Sequence, residues 1–596
     1  MASSSLTTSG ITSFINSYKL TERNKIVAPL TNKKTSYQNR YSAYSEISSK
    51  LSSLKSLMTD FKLTGSDSVF RAKKATSSNS NFVSATVTNS ANVSAYQLFV
   101  SQLAKSDIAV SKDLTSSSTN TISGTHSFTI KTGDGEGGEF LSKIDVEFTG
   151  SETNQTMMEK IANAINADKA EVLSTNKTAT SAYSGGTSTF TININGTETD
   201  ITVNGGGTYE ELVDEIINQV NENVTGVTAE KVLDSPNAGD VKLKLTVDDS
   251  DDYISITSKS GFDLVSDLGI SATKEKGASG IVTASVFSPS TDVSQMSITS
   301  KKTGVDYRIK SLADESGSSA LTELGLNLGT SRTAYNQSAD PDTPGFIYSD
   351  ITTANNQLNS RITFNGLSIQ KNSNSIDDLV SGVTFNLNSV MQSTDSNVNI
   401  AVANNVEEVK SQIESFVTKF NDIYKYLKSA TSSVDGKRGN LISDANANSL
   451  LQFFRSAAYS EVTGLPTNNI KYLTQMGITF DSANGLSISD SSLLEKKITD
   501  NADQVEAVFN STNGLANLIY DKIDPYLGSG GYLALSQSSI DSSISYLSDK
   551  IANAESRIDK SAEVLRNKYQ ALQNQLSILL TTSSLFTNTN STDSYF

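Results

Sequence analysis

If this chain does chemistry, acids must do it, because the other usual reagents are nearly absent. The 596 residues contain no cysteine and one histidine, which removes disulfides, thiolate metal sites and histidine clusters. A Ser-His-Asp arrangement could form only at His126, in "GTHSFTI". That segment reads as the start of a strand, where a solvated side chain is the simpler expectation. Three acidic groups remain: "GDGEGGE" (133–139), "DDSDD" (248–252) and the pair Asp377-Asp378. Paired carboxylates could serve as acid and base, as in a glycosidase, if a pocket drove their pKa values apart. The first two groups fall between strands and read as solvated hairpin turns. Neither has the fixed ligand spacing of a calcium loop. No catalytic, cofactor or metal residue is assigned.

The third group lies in "RITFNGLSIQKNSNSIDDLVSGVTFNL" (361–387). Asn365-Gly366 between Ile362/Phe364 and Leu367/Ile369 predicts a type I′ hairpin. Beyond the hairpin, Ser375 is expected to cap a short helix, with Asp378 reaching back in a capping box and both aspartates in the first turn. Gly382 would end that helix in a left-handed conformation, and Val383, Phe385 and Leu387 would return as a strand. Each polar residue then has a folding role, and the stretch reads as structural.

The elements that carry these segments follow from composition and period. A chain of this length should form several domains. Ser, Thr and Asn make up about a third of it, and hydrophobic residues 36%, enough for small cores. Net charge is −16, divided as +8 over residues 1–74 and −24 over the rest. An acidic body disfavours nucleic acid. No 18-residue apolar run predicts a membrane span, and "MASSSLTTSGITSFINSYKL" lacks the basic and apolar regions of a Sec-type signal peptide.

Both ends read as helix with a seam. Leu30, Tyr37, Tyr44, Leu51 and Met58 recur every seven residues, joined by Ile47, Leu54 and Phe61; Lys33 and Arg40 interrupt the first half. Near the other end Ile544, Ile551, Ile558, Leu565, Leu572 and Leu579 form a second series of sevens. Leaving such a series exposed would forgo burial on the order of 10 kcal/mol, so these helices need partners. Val406, Val409, Ile413, Phe416, Phe420, Ile423 and Leu427 predict a third heptad helix. A bundle of 44–61, 406–427 and 540–560 is one outcome. The other is that segments 1–35 and 560–596 find partners in other chains. Candidate oligomer or filament contacts are therefore Leu30, Tyr37, Tyr44, Ile544, Ile551, Ile558, Leu565, Leu572 and Leu579.

The middle reads as short alternating strands with an internal repeat. "GVTAEKV" (226–232) leads to "YISITSKSGFDLVSDLGI" (253–270), and "GIVTASV" (280–286) leads to "MSITSKKTGVDYRIKSLADESGSSALTELGL" (296–326). "SFTIKTG…KIDVEFTG…MMEKIANAINADKAEV" matches "TFTININGTETDITV…TYEELVDEIINQVNENVTGVTAEKV". Each is expected as strand, strand, amphipathic helix, strand, an inserted module with its own core.

In the hairpin at 361–371 and the strand "GVTFNL", the chain resembles the bacterial flagellar filament cap (hook-associated protein 2) family. The likeness extends to Ser9-Gly10, "TER…PL" (21–30), "SYQNRYSAYSEISSKLSSL" (36–54), "FVTKFNDIY" (416–424), "GNLISD" (439–444), "MGITFDSANGLSIS" (476–489) and "NADQVEAVFN" (501–510). Thr12 departs from it, standing near a position where that family often has an acid. The repeats are similar to insertion motifs of flagellins.

The resemblance implies an α+β multidomain fold: terminal coiled-coil helices, a helical leg domain and β-rich head domains inserted in the middle. Expected borders are 1–35 and 560–596 for terminal segments disordered before assembly, and 36–72 with 402–559 for the leg. A head domain would take 73–120 with 340–401, and inserted head domains 121–339. It further implies a structural, non-enzymatic cap at the distal, extracellular tip of the flagellar filament, reached by type III export. There it would promote folding and polymerisation of exported flagellin. Implied partners are a ring of its own copies, flagellin, hook–filament junction proteins and an export chaperone. Ile558→Asp with Leu565→Asp should then release flagellin as monomer. Alternatives are a flagellin or hook–filament junction protein, or a surface adhesin whose head domains bind host glycans or mucin.

Overall fold

Helices occupy both ends of the chain and sheets its middle, an α+β multidomain arrangement with the β-rich part inserted between helical segments. The computed structural model describes residues 7–204, 206–233, 239–340, 342–434 and 436–589. The longer helices are α1 (Thr8–Glu22), α2 (Ala28–Phe61), α3 (Asn154–Ala167), α4 (Tyr209–Asn223), α5 (Val406–Thr431), α6 (Ala445–Ala457), α7 (Ser491–Asp500), α8 (Ala502–Asn510), α9 (Leu515–Ile523) and α10 (Tyr532–Thr589). One unit comprises Met1–Lys74, Val87–Asn92 and Ala403–Phe596; the other comprises Ala75–Thr86 and Val93–Val402.

In the first unit the 3,4 alternation of α2 buries Tyr44, Ile47, Leu51, Leu54, Met58 and Phe61 on one face. That face shares a core with Val409, Ile413, Phe416, Phe420, Ile423 and Leu427 of α5 and with Leu533 and Ile540 of α10. Four rings lock its far end: Phe61 meets Phe70 at 4.8 Å and Phe509 at 5.2 Å, and Phe509 stacks on Phe70 at 5.0 Å and meets Phe416 edge-on at 5.6 Å. Beside them Arg71 pairs with the buried carboxylate of Glu506 at 2.9 Å. The run "QVEAVFN" thus supplies both a core ring and a buried ion pair.

Between α1 and α2 the chain makes one π turn, Arg23–Val27, closed by Ala28 N donating to Arg23 O. Pro29, in the first turn of α2, explains it. Proline has no amide hydrogen and its ring crowds the carbonyl four residues back; one wider turn relieves both defects.

A five-stranded sheet, whose strands Ser94–Gln102, Ser360–Phe364 and Leu367–Lys371 belong to the second unit, runs in the order Lys73–Ser77, Val398–Asn404, Ser94–Gln102, Ser360–Phe364, Leu367–Lys371. Asn365 and Gly366 turn the last two strands at φ +49° and +88°, the type I′ signature expected of Asn-Gly. Asn365 also binds the sheet: its amide donates to Gln97 O at 2.9 Å, and its Oδ1 accepts from Gln97 N at 2.8 Å. Tyr96, Phe364 and Phe385 pack ring to ring beneath it, with centroids 5.6 to 5.7 Å apart.

The short helix expected after this hairpin is not formed. Ser375–Val380 is a strand that pairs Ser375 with Asn386, Ile376 with Phe385 and Val380 with Val383. Six residues are too few to offset helix nucleation, and Ile376 gains a buried place opposite Phe385. A register shift between Ile376 and Val380 lets both aspartates face solvent, which strict alternation would forbid. Asp378 pairs with Lys371 at 2.6 Å rather than capping a helix. Gly382 is left-handed at φ +75°, but it closes a two-residue hairpin.

The repeats form two modules, one nested inside the other. The inner module has strands Ser188–Ile194 and Thr197–Val203, helix α4, and strands Val227–Leu233, Asp240–Val247 and Tyr253–Gly261. Its core gathers Phe190, Ile192, Leu212, Ile216, Val220, Leu243 and Ile256. The outer module begins with Ser123–Gly133, Glu139–Thr149 and α3, but its closing strand is Val282–Ser290, reached only after the inner module is complete. The strand expected directly after α3, Glu171–Leu173, instead joins the inner module by pairing with Asp240–Val247. One seven-stranded sheet links the two through the short strand Lys274–Lys276, antiparallel to Tyr253–Gly261 and parallel to Glu139–Thr149.

An asparagine near the end of each helix identifies the modules as copies. Asn166 of α3 donates to Ala284 O at 2.8 Å and accepts from Ala284 N at 2.9 Å. Asn221 of α4 does the same to Ala229, at 3.0 and 2.8 Å. Each carboxamide stands in for a neighbouring strand on an edge that would otherwise be open to pairing.

Candidate assembly surface

The terminal helix α10 is 58 residues long, about 87 Å at 1.5 Å per residue, and its seam meets three different environments. At its start, Leu533, Ile540 and Leu547 are buried, and Ile544 packs against the core that holds α2. Further along, α1 runs antiparallel to it: Arg23 pairs with Glu555 and Lys19 with Asp559, each at 2.7 Å. Ile11 and Ile15 bury against Ala562, flanked by Leu565, Tyr18 and Tyr569, and Phe14 meets the Tyr569 ring edge-on at 5.0 Å. By these pairings Thr8, where α1 begins, lies level with about residue 570. Beyond that level the apolar side chains of the seam are exposed. Leu572 is 49% exposed, Ile578 67% and Leu579 70%, with Leu576 and Leu580 also exposed.

The nine seam residues therefore divide. Tyr44 is buried; its hydroxyl donates to the carboxylate of Asp444. Burial, and then that carboxylate, push the phenol up to about 12. Asp444 in turn caps α6 through Ala447 N at 3.0 Å, so "GNLISD" fastens α6 to α2. Ile558 is buried, whereas Leu30, Tyr37, Ile544, Ile551 and Leu565 are half-buried. Leu572 and Leu579 alone among the nine are exposed. Within the chain, α1 and the seam around Leu565 are therefore partners. They cover each other within the chain, because two isoleucines and a tyrosine on α1 match the seam in antiparallel register. Residues 1–6 and 590–596 of those segments lie outside the described residues.

Another docking in this unit is not apparent from the sequence. The hairpin Ile478–Asp481/Gly485–Ile488 sits on α5 through Asn421, whose carboxamide donates to Leu486 O and accepts from Leu486 N, both at 2.7 Å. Tyr424 donates to Ser482 O at 2.8 Å. A Cβ at residue 485 would come within 2.1 Å of Asn421 Oδ1, and its φ is +88°, so glycine is required there. "FNDIY" and "DSANGLSIS" are thus two halves of one contact. The available signal was a pair of polar residues, Asn421 and Tyr424, close to an apolar helix face.

The acidic clusters are engaged in local hydrogen bonds and an ion pair. Residues 134–138 turn between two paired strands. There Asp134 accepts from Glu136 N and Gly138 N and pairs with Lys274 at 2.8 Å. Burial alone would raise its pKa, but Lys274 and those amides outweigh it and hold the carboxyl below the usual range. "DDSDD" likewise joins two strands, with Asp248 bonded to Thr228 and Asp249 to Asp251 N. His126 is better satisfied than a solvated strand residue. Nδ1 accepts from Ser319 N at 3.0 Å, Nε2 donates to Ser123 O at 3.2 Å, and the ring meets Phe148 at 5.8 Å. No helix among the described residues is long and apolar enough to cross a membrane.

The parts most tightly specified here, the seam helices, the Asn-Gly hairpin and the hairpin on α5, are also those that match known proteins. The profile of the flagellar hook-associated protein 2 N-terminus matches residues 9–107, and that of the C-terminus matches 358–580. B-type flagellar hook-associated protein 2 of Pseudomonas aeruginosa is 25% identical over 344 residues, 56% of this chain and 67% of that protein. The A-type protein of the same species is 29% identical over 185 residues, 29% and 37% of the two chains. Flagellar hook-associated protein 2 of Salmonella typhimurium is 23% identical over 237 residues, 38% and 50%. The chain thus spans between 37% and 67% of the length of these relatives. A crystal structure of the flagellar cap protein from Escherichia coli aligns with 83% of this chain and 99% of its own at 17% identity and a TM-score of 0.45. Two profiles, one for each end of the same protein and together covering more than half of the residues, fall in the right order on the two sides of the inserted modules: the chain belongs to the flagellar hook-associated protein 2 family.

Proposed function

We propose that this chain is the structural cap at the distal, extracellular tip of a bacterial flagellar filament, assembled as a ring of its own copies. There it retains exported flagellin and promotes its folding and insertion. The observation that carries this reading is the exposed seam of α10 beyond Tyr569. Leu572, Leu576 and Leu579 continue the spacing that is buried further up the same helix. A helix face of this kind on an exported protein calls for helices supplied by another subunit, and the helical ends of filament subunits are the partner that family membership suggests. The α1–α10 contact would then be a resting arrangement, exchanged in part for filament helices on assembly. Hook–filament junction proteins and an export chaperone are further partners of this reading.

The test uses Leu572→Asp with Leu579→Asp in the source bacterium. Both residues are exposed, so the fold should persist. Ile558→Asp with Leu565→Asp would be less clean, because those residues also pack within the chain. Flagellin should accumulate in the medium as monomer while filaments are short or missing. Filaments of normal length from the double variant would sink the role given to the seam.

A further inference from the structure

Where the two nested modules meet, the second unit holds a cleft of about 200 Å³. Close backbone approach shapes its walls. A Cβ at residue 133 would fall 1.9 Å from Asp306 O, and one at residue 135 would strike the Tyr307 ring at 2.4 Å. A Cβ at residue 280 would lie 2.3 Å from Ser250 O. Three glycines thus let a turn of the outer module, the Tyr307 ring and the inter-module link come together.

The lining combines three kinds of group. Phe140 and Tyr253, one from each module, lie with ring centroids 5.6 Å apart and tilted to each other, forming an aromatic corner with the Lys274 ammonium 6.0 and 5.4 Å from the two centroids. The hydroxyl-bearing side chains of Thr132, Tyr253 and Tyr307 also line the cleft. Two ammonium groups reach in from the rim: Lys276, 5.3 Å from the Phe140 centroid, and Lys302, 4.8 Å from that of Tyr307. Neither makes an ion pair among the described residues; Lys276 donates to the backbone carbonyl of Asp251. The nearby acids are otherwise engaged, Asp134 by Lys274, Asp251 by Lys301 at 4.0 Å and Asp252 by Asn195. Burial first, and then the neighbouring lysines, hold the Lys276 ammonium below the usual lysine range despite Asp251, so an incoming anion would relieve it.

Aromatic rings, hydroxyls and cations without an ion pair are complementary to the C–H face, hydroxyls and carboxylate of one small molecule type. We propose that this cleft binds an acidic monosaccharide, its pyranose ring in the Phe140–Tyr253 corner and its carboxylate between Lys276 and Lys302. Because the lining comes from both modules, an occupied cleft would hold them together. The inference does not rest on the capping role.

The experiment is calorimetric titration of the full-length chain with D-glucuronate, D-glucose and acetate in parallel. Glucuronate should bind saturably with a Kd in the millimolar range, and glucose and acetate at least about tenfold more weakly. Lys302→Met alone, at an exposed position, should weaken glucuronate binding about tenfold and leave the melting temperature of the free protein unchanged. Lys276→Met should add to that loss. No saturable heat up to about 50 mM glucuronate would overturn the assignment. So would acetate binding as tightly as glucuronate, or an unchanged affinity in both lysine variants.

Discussion

Replacing Ile15 by Ala should free α1 from α10 while leaving the helical core intact. Ile15 is 1% exposed and Ile11 3%; burial of two isoleucines stabilises the contact by about 3–6 kcal/mol before any ordering is counted. The ion pairs Lys19–Asp559 and Arg23–Glu555 are exposed and contribute register more than stability. Extending helix from α2 into α1 is nearly neutral per residue once nucleated, so the side chains decide whether α1 stays docked. The site is a shallow seam, which places Ile15→Ala at the low end of core truncations, about 2 kcal/mol. Amide exchange over residues 8–22 should then accelerate about 30-fold. Exchange over 47–61, whose buried faces belong to a different cluster, should not change. Equal acceleration in both segments would show that α1 is not a separately opening element, and the proposed exchange of α1 for filament helices would lose its physical basis.

Two further predictions concern the second unit. Asp107 is fully buried and holds Arg332 through two hydrogen bonds of 2.8 and 2.9 Å while accepting from Ile309 N. Asp107→Ala should therefore destabilise this unit by about 3–5 kcal/mol in chemical denaturation, and adding Arg332→Leu should recover part of it by removing the stranded cation; a loss below about 1 kcal/mol would refute this. Asp168 and Glu275 flank the link between the modules, and burial raises both carboxyls to about 7, each further raised by neighbouring acids and lowered by Ala278 N for Asp168 and by Lys131 and Lys143 for Glu275. A carboxyl raised in the folded state binds its proton more tightly there than when unfolded. Its contribution is therefore complete below pH 4 and lost as pH rises through 7. Both side chains keep some solvent contact, so the loss between pH 5 and 8 should be on the order of 2 kcal/mol. The depressed carboxyls of Asp134 and Asp200 are ionised in both states across that window. Melting temperature should fall from pH 5 to 8, and Glu275→Gln should flatten the slope; a rise with pH would contradict the assignment.

Some of this architecture is legible in the sequence and some is not, for identifiable reasons. Asn365-Gly366 allows few backbone conformations, and the hairpin follows from the dipeptide alone. The segment after it does not read as a strand because Asp377 and Asp378 break the period of two, and the bulge that absorbs them leaves no mark in composition. The repeats are visible as copies, but their nesting is not: the outer module needs "GIVTASV" to close, and "KAEV" after α3 is equally apolar and much nearer in sequence. The choice rests on Asn166, which bonds Ala284 across 118 residues, and a lone asparagine near a helix end carries no such address. Asn421 poses the same problem in the helical unit.

The seam of α10 shows most clearly what periodicity can and cannot tell. A heptad repeat states that a helix has a face to bury, and it states this identically for Leu547, Leu565 and Leu579. What separates them is which other face reaches that level. α2 reaches the start of the helix with part of a large core behind it, α1 reaches the middle with two isoleucines, and nothing described reaches the end. The stability of the seam therefore decreases along the helix, from a core that opens only with the whole unit to a contact worth a few kcal/mol and then to exposed leucines. A partner helix approaching from the free end would meet the exposed residues first and could displace α1 next, at a free-energy difference that similar apolar contacts can match. It could not unseat α2 without unfolding the unit. That ordering makes partial exchange at a filament tip physically feasible, and the single substitution at Ile15 tests it at the step where exchange would begin.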